Sequence, residues 1–251
     1  MQKISTYTLN IKLFAARNSS CWLALPLWGG MGEAFFFLFF YYLCTQFSKF
    51  VYMIITIARQ CGCGAVHVGE ILAEHYGIPF YTRQNLLKMA EEKGFLPELA
   101  DFFEERPVDD LRYAISEGFA EENIHLHDKT IKMLEELVGT KSCIIIGRCG
   151  NYIFRKRKDL VSIFLKGDID ARVKAIIKEE GMSESDAREF VDNTEDCRIK
   201  YHKYYTGLTW GNAADYDLCL DSCRLTPENT ALIIEEYIEL TARIRALLND
   251  K

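Results

Sequence analysis

The sequence predicts an α/β domain in which a parallel β-sheet lies between layers of helices. Short apolar runs rich in β-branched residues alternate with longer runs of helical period, as in Ile54–Ala58 followed by Val66–Tyr76. This alternation is typical of a parallel sheet that is covered on both faces. With 251 residues, of which 49% are apolar and 26% charged, the chain is long enough to bury a substantial core.

In the first half of the domain, glycines that separate or end elements support the prediction made from hydrophobic periodicity. A glycine-rich turn separates the first strand from the first helix, where Val68, Ile71 and Leu72 share one face. Gly77 and Gly94 each mark the end of a helix. The predicted elements are, in order, strand Ile54–Ala58, helix Val66–Tyr76, extended segment Gly77–Tyr81, helix Arg83–Lys93, the acidic and weakly helical stretch Leu96–Gly118, helix Asn123–Val138 and strand Ser142–Ile146.

The second half continues the alternation and closes with a helix. Ser183 is predicted to cap a helix that has Asp186 at its third position, a spacing that resembles a capping box. Pro227 suits the first turn of the closing helix. The predicted elements are strand Leu160–Leu165, helix Ile169–Glu180, a helix that runs from Ser183 through Tyr205 and ends at Gly207, strand Tyr216–Leu220 and helix Pro227–Leu248.

Residues 1–52 differ in composition and are predicted to be separate from the domain at 53–251. The first fifty residues carry four Lys or Arg and one acid, so from a total charge of −6 they take +3 and leave −9. Ala34–Cys44 is an unbroken aromatic and aliphatic run, shorter than the ~20 residues of a membrane-spanning helix. The alternatives are a membrane anchor, a cleaved targeting segment, or translated sequence upstream of the natural start. We favour the last because Met53 directly precedes the first strand.

Charge and cysteine content exclude other classes of protein. A net charge of −6 disfavours a general nucleic-acid binder, which would present a basic face. The nine cysteines are scattered and several lie in apolar runs, which predicts a reduced, cytoplasmic protein rather than a disulfide scaffold. No His lies at ligand spacing beside Cys61-x-Cys63 or Cys219-x-x-x-Cys223, so no metal site is predicted from the cysteines. The oligomeric state is left open.

Phosphate binding is indicated by the loop Arg59-Gln60-Cys61-Gly62-Cys63-Gly64-Ala65. A strand, a glycine turn and a helix in this order bring backbone N–H groups close to an anion, although the Lys-Ser or Lys-Thr pair of a standard P-loop is missing. Arg59 and Arg148 both follow predicted strands, at the edge where open parallel sheets bind ligands. A guanidinium binds phosphate oxygens bidentately. For either arginine alone, the alternative is a surface residue paired with an acid.

A cluster of charged residues at 192–207 is a further candidate for phosphate binding. It places Arg198, Lys200 and Lys203 after an acidic turn, with aromatic residues between them. It is either a solvated helix with ion pairs, in which Glu195 and Arg198 share a face, or a mobile lid whose cations close over phosphates. Arg172, early in the helix Ile169–Glu180, is predicted to serve the same cavity.

Together these segments resemble the cytidylate kinase-like family, a branch of the P-loop nucleoside monophosphate kinases. The resemblance runs from Met53 to about Ile238. The matching segments, in order, are Ile55-Thr56-Ile57-Ala58-Arg59, Gly62-Cys63-Gly64, Leu72-Ala73-Glu74, Gly77-Ile78-Pro79-Phe80-Tyr81, Ile145-Ile146-Gly147-Arg148-Cys149, Arg172-Val173-Lys174, Arg198 with Tyr201, Tyr204-Tyr205-Thr206-Gly207, Trp210-Gly211 and Tyr216-Asp217-Leu218.

The resemblance implies a three-layer P-loop kinase fold with a helical lid, a monophosphate-binding region after the second short strand, and ATP with Mg²⁺ as the phosphoryl donor. Arg148 would meet the acceptor phosphate, and Arg172 and Arg198 would clamp the transferring group. Such a site works by positioning and charge neutralisation. The residues implied to bind the donor phosphates are Arg59, Gly62, Cys63, Gly64 and Ala65.

The chain also departs from the family, whose loop has glycine-serine-glycine-glycine after an Arg-Glu pair. Gln60 lacks a carboxylate, Cys63 replaces a hydroxyl that could orient Mg²⁺ or phosphate, and Ala65 adds a Cβ where we expect a positive φ. Cys149 stands where cytidylate kinases carry Asp after the Gly-Arg pair, which weakens the prediction of cytosine specificity.

Three functions are therefore compared. The leading hypothesis is an ATP-dependent kinase whose acceptor is a nucleoside monophosphate, most simply CMP. The loop departures favour a nucleotide-binding regulatory protein that has lost turnover, whereas the retained arginines favour the enzyme. The third hypothesis is a kinase with a non-nucleotide acceptor.

Overall fold

A computed structural model describes residues 53–103, 120–139 and 141–249. The predicted extension at 1–52 lies outside the described residues, as does the later part of the acidic stretch, 104–118. What was expected of them therefore stays a prediction. Within the described residues, no helix combines the length and the apolar composition that crossing a membrane requires.

Helices and strands alternate as predicted. Among the described residues the strands are β1 Ile54–Arg59, β2 Phe80–Tyr81, β3 Cys143–Ile146, β4 Leu160–Lys166 and β5 Leu218–Asp221. The α-helices in the same ranges are α1 Ala65–Tyr76, α2 Arg83–Glu92, α3 Leu96–Phe103, α4 Ala120–Val138, α5 Gly150–Ile153, α6 Ile169–Glu180, α7 Glu184–Thr206 and α8 Pro227–Asn249.

The described strands form one parallel sheet in the order β2-β3-β1-β4-β5. Strand β1 lies at the centre, with Ile57 beside Ile146 on one side and beside Ile163 on the other. Since all the strands point the same way, the turns that follow β1, β3 and β4 lie at one edge. The predicted parallel sheet is confirmed, and its central strand leads directly into the glycine loop.

Helices cover both faces of the sheet, and alternate strand residues divide between two cores. Ile54 and Ile145 pack with the buried faces of α2, α3 and α4. Ile55 and Ile57 pack on the opposite face with α1 and α8. The predicted arrangement of a parallel sheet between helices is therefore confirmed.

Helices α6 and α7 form a pair that joins the rest of the fold beside the glycine loop. The Asp168 side chain caps α6, and Ser183 caps α7 by accepting a hydrogen bond from the Asp186 amide. Val173 and Val191 pack with Cys61 in a small separate core. The predicted helical lid is thus a helix that touches the loop; its mobility stays a prediction.

The start of β5 differs from the sequence prediction, and one short helix was not predicted. Strand β5 begins at Leu218 rather than Tyr216, because a short 3₁₀ turn, Ala213–Asp215, leads into it. Next to it, the Asp217 carboxylate accepts hydrogen bonds from both the amide and the hydroxyl of Ser162. Helix α5 follows the Gly147-Arg148 turn and is too short to produce a periodic pattern.

Candidate active site

The glycine loop is shaped by two glycines with left-handed backbones, Gly62 at φ 81° and Gly64 at φ 63°. A Cβ on Gly62 would lie 2.5 Å from the Arg172 carbonyl oxygen, so only glycine allows this approach to α6. Gly64 is the N-cap of α1 and has no side chain to cap the first turn. The first N–H groups of α1 are therefore suited to an anion.

The expectation for Ala65 is wrong. We expected its backbone to need a positive φ, but Ala65 is the first residue of α1, and the left-handed turn is completed one position earlier at Gly64. Its methyl group is buried in the core shared by α1 and α8. This departure from the family's loop carries no backbone strain.

A carboxylate from α7 occupies the entrance of the glycine loop. Glu195 Oε1 accepts a hydrogen bond from the Cys61 amide at 2.9 Å and lies 3.0 Å from Arg172 Nη1. Its Oε2 accepts from Gln60 Nε2 at 3.2 Å. The Arg172 and Glu195 side chains are 7% and 16% exposed, so water screens this ion pair weakly. A backbone N–H with a guanidinium is the donor set that also binds phosphate.

The contacts of the Gln60 side chain explain why glutamine suits a position where the family has glutamate. Its amide nitrogen donates to Glu195, and its amide oxygen accepts from the Gly167 amide at 3.0 Å. A glutamate at this position could accept from Gly167 but would repel Glu195. The substitution is therefore matched to the acid on α7.

The four predicted arginines are held differently. Arg172 is buried and its Nε donates to the Gly167 carbonyl at 3.0 Å. Arg198 Nη1 donates to the carbonyl of Arg59 at 3.2 Å, which ties α7 to the end of β1. The Arg59 guanidinium lies against Gly147, at the position where a Cβ on that glycine would clash with it.

Arg148 lies on a turn with an unusual backbone. Gly147, Arg148 and Cys149 have φ values of 71°, 54° and 52°, three left-handed residues in succession, two of which carry side chains. Such conformations cost about 1–3 kcal/mol each and are concentrated at functional sites. Arg148 is buried, donates to the Phe102 carbonyl at 3.0 Å, and lies 5.3 Å from the ring centre of Tyr201. The turn thus joins the helices after β2 to α7.

Cys149 is paired with a histidine that sequence reasoning missed. Its Sγ lies 3.6 Å from His202 Nδ1, and both side chains are buried. Burial raises the pKa of Cys149 to about 12 and lowers that of His202 to about 4, the latter opposed by the nearby Asp215. The pair is therefore uncharged at neutral pH. No hydrogen-bond partner for His202 Nε2 occurs among the described residues.

These groups surround a cavity of about 280 Å³ at the carboxyl edge of the sheet. It brings together three of the four predicted arginines, whereas Arg172 and the glycine loop meet α7 at Glu195, next to the lining residue Thr194. Lys203 of the predicted cluster instead donates to the Gly207 carbonyl at the end of α7. The lining residues are Ala58, Arg59, Gly147, Arg148, Cys149, Asn151, Phe190, Asn193, Thr194, Cys197, Arg198, Tyr201, His202 and Trp210.

Glu195 was missed as a site residue for a physical reason. Its spacing predicted a local partnership with Arg198 on the same helix, but its ion-pair partner is Arg172 on α6. Pairs between helices leave no periodic signal in a sequence. His202 lies in the cluster at 192–207, but its partner Cys149 is 53 positions away, so no local pattern links the two.

Comparison with known proteins identifies the family. The sequence profile of the cytidylate kinase-like family matches residues 54–224, which include the glycine loop, the Gly147–Cys149 turn and every strand of the described sheet. The chain belongs to the cytidylate kinase-like family. The expected family and its fold are thereby confirmed together.

Several relatives of this chain are named cytidylate kinase. The chain is 26% identical over 197 residues to the cytidylate kinase of Methanopyrus kandleri, and the match covers 74% of this chain and 93% of the relative. It is 27% identical over 192 residues to the cytidylate kinase of Methanospirillum hungatei, covering 74% and 97%. A solved structure from Eubacterium ventriosum, described as an uncharacterized protein, is 24% identical with a TM-score of 0.58. It covers 74% of this chain and 98% of that one, and shows the fold alone.

Proposed function

We propose that this member of the cytidylate kinase-like family transfers the γ-phosphoryl group of ATP to a nucleoside monophosphate, with a CMP-like acceptor. The observation that carries the proposal is the placement of Arg59, Arg148 and Arg198 around one cavity beside the glycine loop. The cytidylate kinase name of the curated relatives supports the same reaction.

Donor and acceptor would lie at opposite ends of this arrangement. The first turn of α1 and the amides of the glycine loop suit the donor phosphates. Arg148 suits the acceptor phosphate, since it is tied to the Phe102 carbonyl in the helices that follow β2. Arg172 lies at the glycine loop and Arg198 at the end of β1, where both would neutralise the charge of the transferring group.

Binding of ATP at the loop requires that Glu195 leave it. The carboxylate and a phosphate would compete for the Cys61 amide and for Arg172. Displacement would move the side chain of α7, the helix that also carries Arg198. We therefore assign α7 the role of a lid. Without nucleotide, Glu195 on this helix holds the lid against the glycine loop.

Mg²⁺, when bound with the nucleotide, would supply positive charge that neutralises the phosphates. Within the described residues, no group of three His, Cys, Asp or Glu side chains is placed to hold a metal. Cys63, which lacks the hydroxyl of the family's loop, is poorly suited to hold the ion. The arginines compensate by supplying fixed positive charge to the phosphates.

A regulatory nucleotide-binding protein remains the second candidate, and Glu195 is the observation that favours it. An acid that already satisfies the loop lowers the affinity for phosphate and so opposes turnover. A non-nucleotide acceptor is the third, since Cys149 and His202 present an uncharged wall where cytidylate kinases carry a carboxylate. Location in the cytoplasm and the separate domain at 53–251 stay predictions.

A coupled assay of ADP release tests the proposal, with ATP, Mg²⁺ and a panel of nucleoside monophosphates. CMP-dependent turnover is expected. Arg148→Ala should lower kcat/KM about 10- to 150-fold, because it removes a charge-assisted contact of roughly 1.5–3 kcal/mol. Arg243→Ala is the matched control, since this arginine is exposed on α8 and pairs with Glu239.

The outcomes separate the three functions. Turnover that persists unchanged in Arg148→Ala would contradict the site. ATP protection against thermal unfolding without ADP release would identify the regulatory protein. Turnover with other alcohols or phosphates, but with no nucleotide in the panel, would identify the third function.

A further inference from the structure

Two cysteines from distant parts of the chain meet at the glycine loop. The Sγ atoms of Cys63 and Cys223 lie 3.9 Å apart, close to van der Waals contact. Both residues are free thiols; Cys63 is buried and Cys223 is partly exposed. Cys63 is in the loop that would hold the donor phosphates, and Cys223 follows β5.

The backbone around the two thiols is held in place by hydrogen bonds. Ser222 Oγ donates to the Cys63 carbonyl at 3.0 Å, and the Ser222 amide donates to the carbonyl of Lys166 at the end of β4. The Cys223 side chain fills the space over Gly167, where a Cβ on that glycine would clash with it. These contacts keep the two sulfurs together, which gives their reaction a high effective concentration.

We propose that Cys63 and Cys223 form a reversible disulfide that ties the glycine loop to the turn after β5. The oxidant is a low-molecular-weight disulfide such as oxidised glutathione. The Cys223 thiolate attacks one sulfur of the oxidant, breaks its S–S bond and releases one thiolate. The Cys63 thiolate then attacks Cys223 Sγ and expels the second. The two leaving thiolates take up the two protons lost by the cysteines, so two protein thiols and one small disulfide give one protein disulfide and two small thiols.

The order of attack follows from exposure. Burial raises the pKa of Cys63 to about 12, and it raises that of Cys223 as well, where the neighbouring Cys63 opposes the change. The thiolate is the nucleophile, so the partly exposed Cys223 reacts first and Cys63 completes the exchange. The rate is therefore expected to increase with pH.

Closure of the bond would displace the loop. An S–S bond is about 2.0 Å long, so the sulfurs must approach each other by roughly 1.9 Å. Cys63 lies between Gly62 and Gly64, whose backbones can absorb such a shift. Phosphate contacts tolerate much smaller displacements, because hydrogen bonds weaken beyond about 3.2 Å. Oxidation is therefore expected to weaken nucleotide binding.

Peptide mapping of the full chain tests the disulfide directly. The chain is treated with oxidised glutathione at pH 8, alkylated and digested with trypsin, with and without later reduction. A reducible cross-link is expected between the peptide Gln60–Arg83 and the peptide Tyr204–Arg224. Since these peptides also contain Cys61 and Cys219, the variants Cys61→Ser and Cys219→Ser serve as matched controls and should retain the cross-link.

Replacing either cysteine alone should have opposite effects on the modification of the other by glutathione. Cys63→Ser should accumulate a glutathione adduct on Cys223, whereas Cys223→Ser should leave Cys63 unmodified because it is buried. A glutathione adduct on Cys223 of the native chain without any cross-link would overturn the proposal. So would a cross-link that persists in Cys63→Ser. Fragmentation of the cross-linked peptide by tandem mass spectrometry assigns the bonded cysteines in the native chain, even if a variant fails to fold.

A second measurement asks what the bond does. Oxidation should weaken ATP binding at least about tenfold, measured by thermal protection, and reduction should restore it. Unchanged ATP binding in a fully cross-linked chain would overturn the predicted effect on the loop. Absence of ATP binding in the reduced chain would instead count against the proposed kinase function, while the cross-linked peptide would still decide the disulfide.

Discussion

Replacing Glu195 by glutamine removes the negative charge that occupies the glycine loop and keeps the size of the side chain. The native carboxylate holds three contacts, from the Cys61 amide, Gln60 and Arg172. The amide oxygen of glutamine can still accept one or two of these, but the buried Arg172 loses its countercharge. Removing one partner of a buried ion pair costs about 3–5 kcal/mol. Because glutamine retains an acceptor, we expect Glu195→Gln to lower the free energy of unfolding by about 2–3 kcal/mol.

The same change should strengthen anion binding. Phosphate in the native chain must displace the carboxylate, whereas in Glu195→Gln it meets an unneutralised Arg172. If 2 kcal/mol of competition is removed, the affinity for the probe rises about 30-fold. Thermal and urea unfolding measure stability, and titration with pyrophosphate or Mg²⁺-free ATP measures affinity. Glu189→Gln, an exposed acid on the same helix, is the control.

The two effects must appear together. A variant as stable as the native chain would show that the ion pair contributes nothing. A destabilised variant whose anion affinity is unchanged would show that the phosphate does not use the Cys61 amide and Arg172. Either result would refute the view that Glu195 and phosphate compete.

Three further predictions follow from the described contacts. Because burial holds the pKa of His202 at about 4, below its ordinary 6.5, the native state should lose about 3 kcal/mol as the pH falls from 6.5 to 4. Urea unfolding should show a shallower loss in His202→Gln, and an equal slope would contradict the assignment. Gly62→Ala should cost more than about 2 kcal/mol and abolish ATP protection, since its Cβ would meet the Arg172 carbonyl at 2.5 Å. Gly181→Ala, with φ 68° and open space, should cost only about 1 kcal/mol. A chain that starts at Met53 should fold and bind ATP as the full chain does; failure to fold would show that residues 1–52 belong to the domain.

The sheet and most of the helices could be predicted because their signals are local. Strand β1 and helix α1 are separated by the predicted glycine turn, in which Gly62 and Gly64 have positive φ values. The position of Arg59 and Arg148 at one edge followed from the parallel order of the strands. Each of these inferences needed at most a few neighbouring residues.

The rest of the site depends on pairs that the fold alone brings together. Glu195 forms an ion pair with Arg172 on a different helix. Arg148 donates to the carbonyl of Phe102, and a contact with a backbone atom leaves no side-chain pattern in the sequence. The error at Ala65 has a similar origin. The last glycine of the family's loop suggested a positive φ there, whereas the chain completes its left-handed turn at Gly64.

The two ends of helix α7 have a thermodynamic consequence for the proposed kinase function. It carries Glu195 at the glycine loop and, seven residues or about 10 Å further along, His202 in the cavity wall. A ligand that moves α7 from one side changes the free energy of binding at the other. Linkage requires this coupling to be reciprocal, so under the proposed function ATP would change the affinity for the acceptor by the same factor by which the acceptor changes the affinity for ATP.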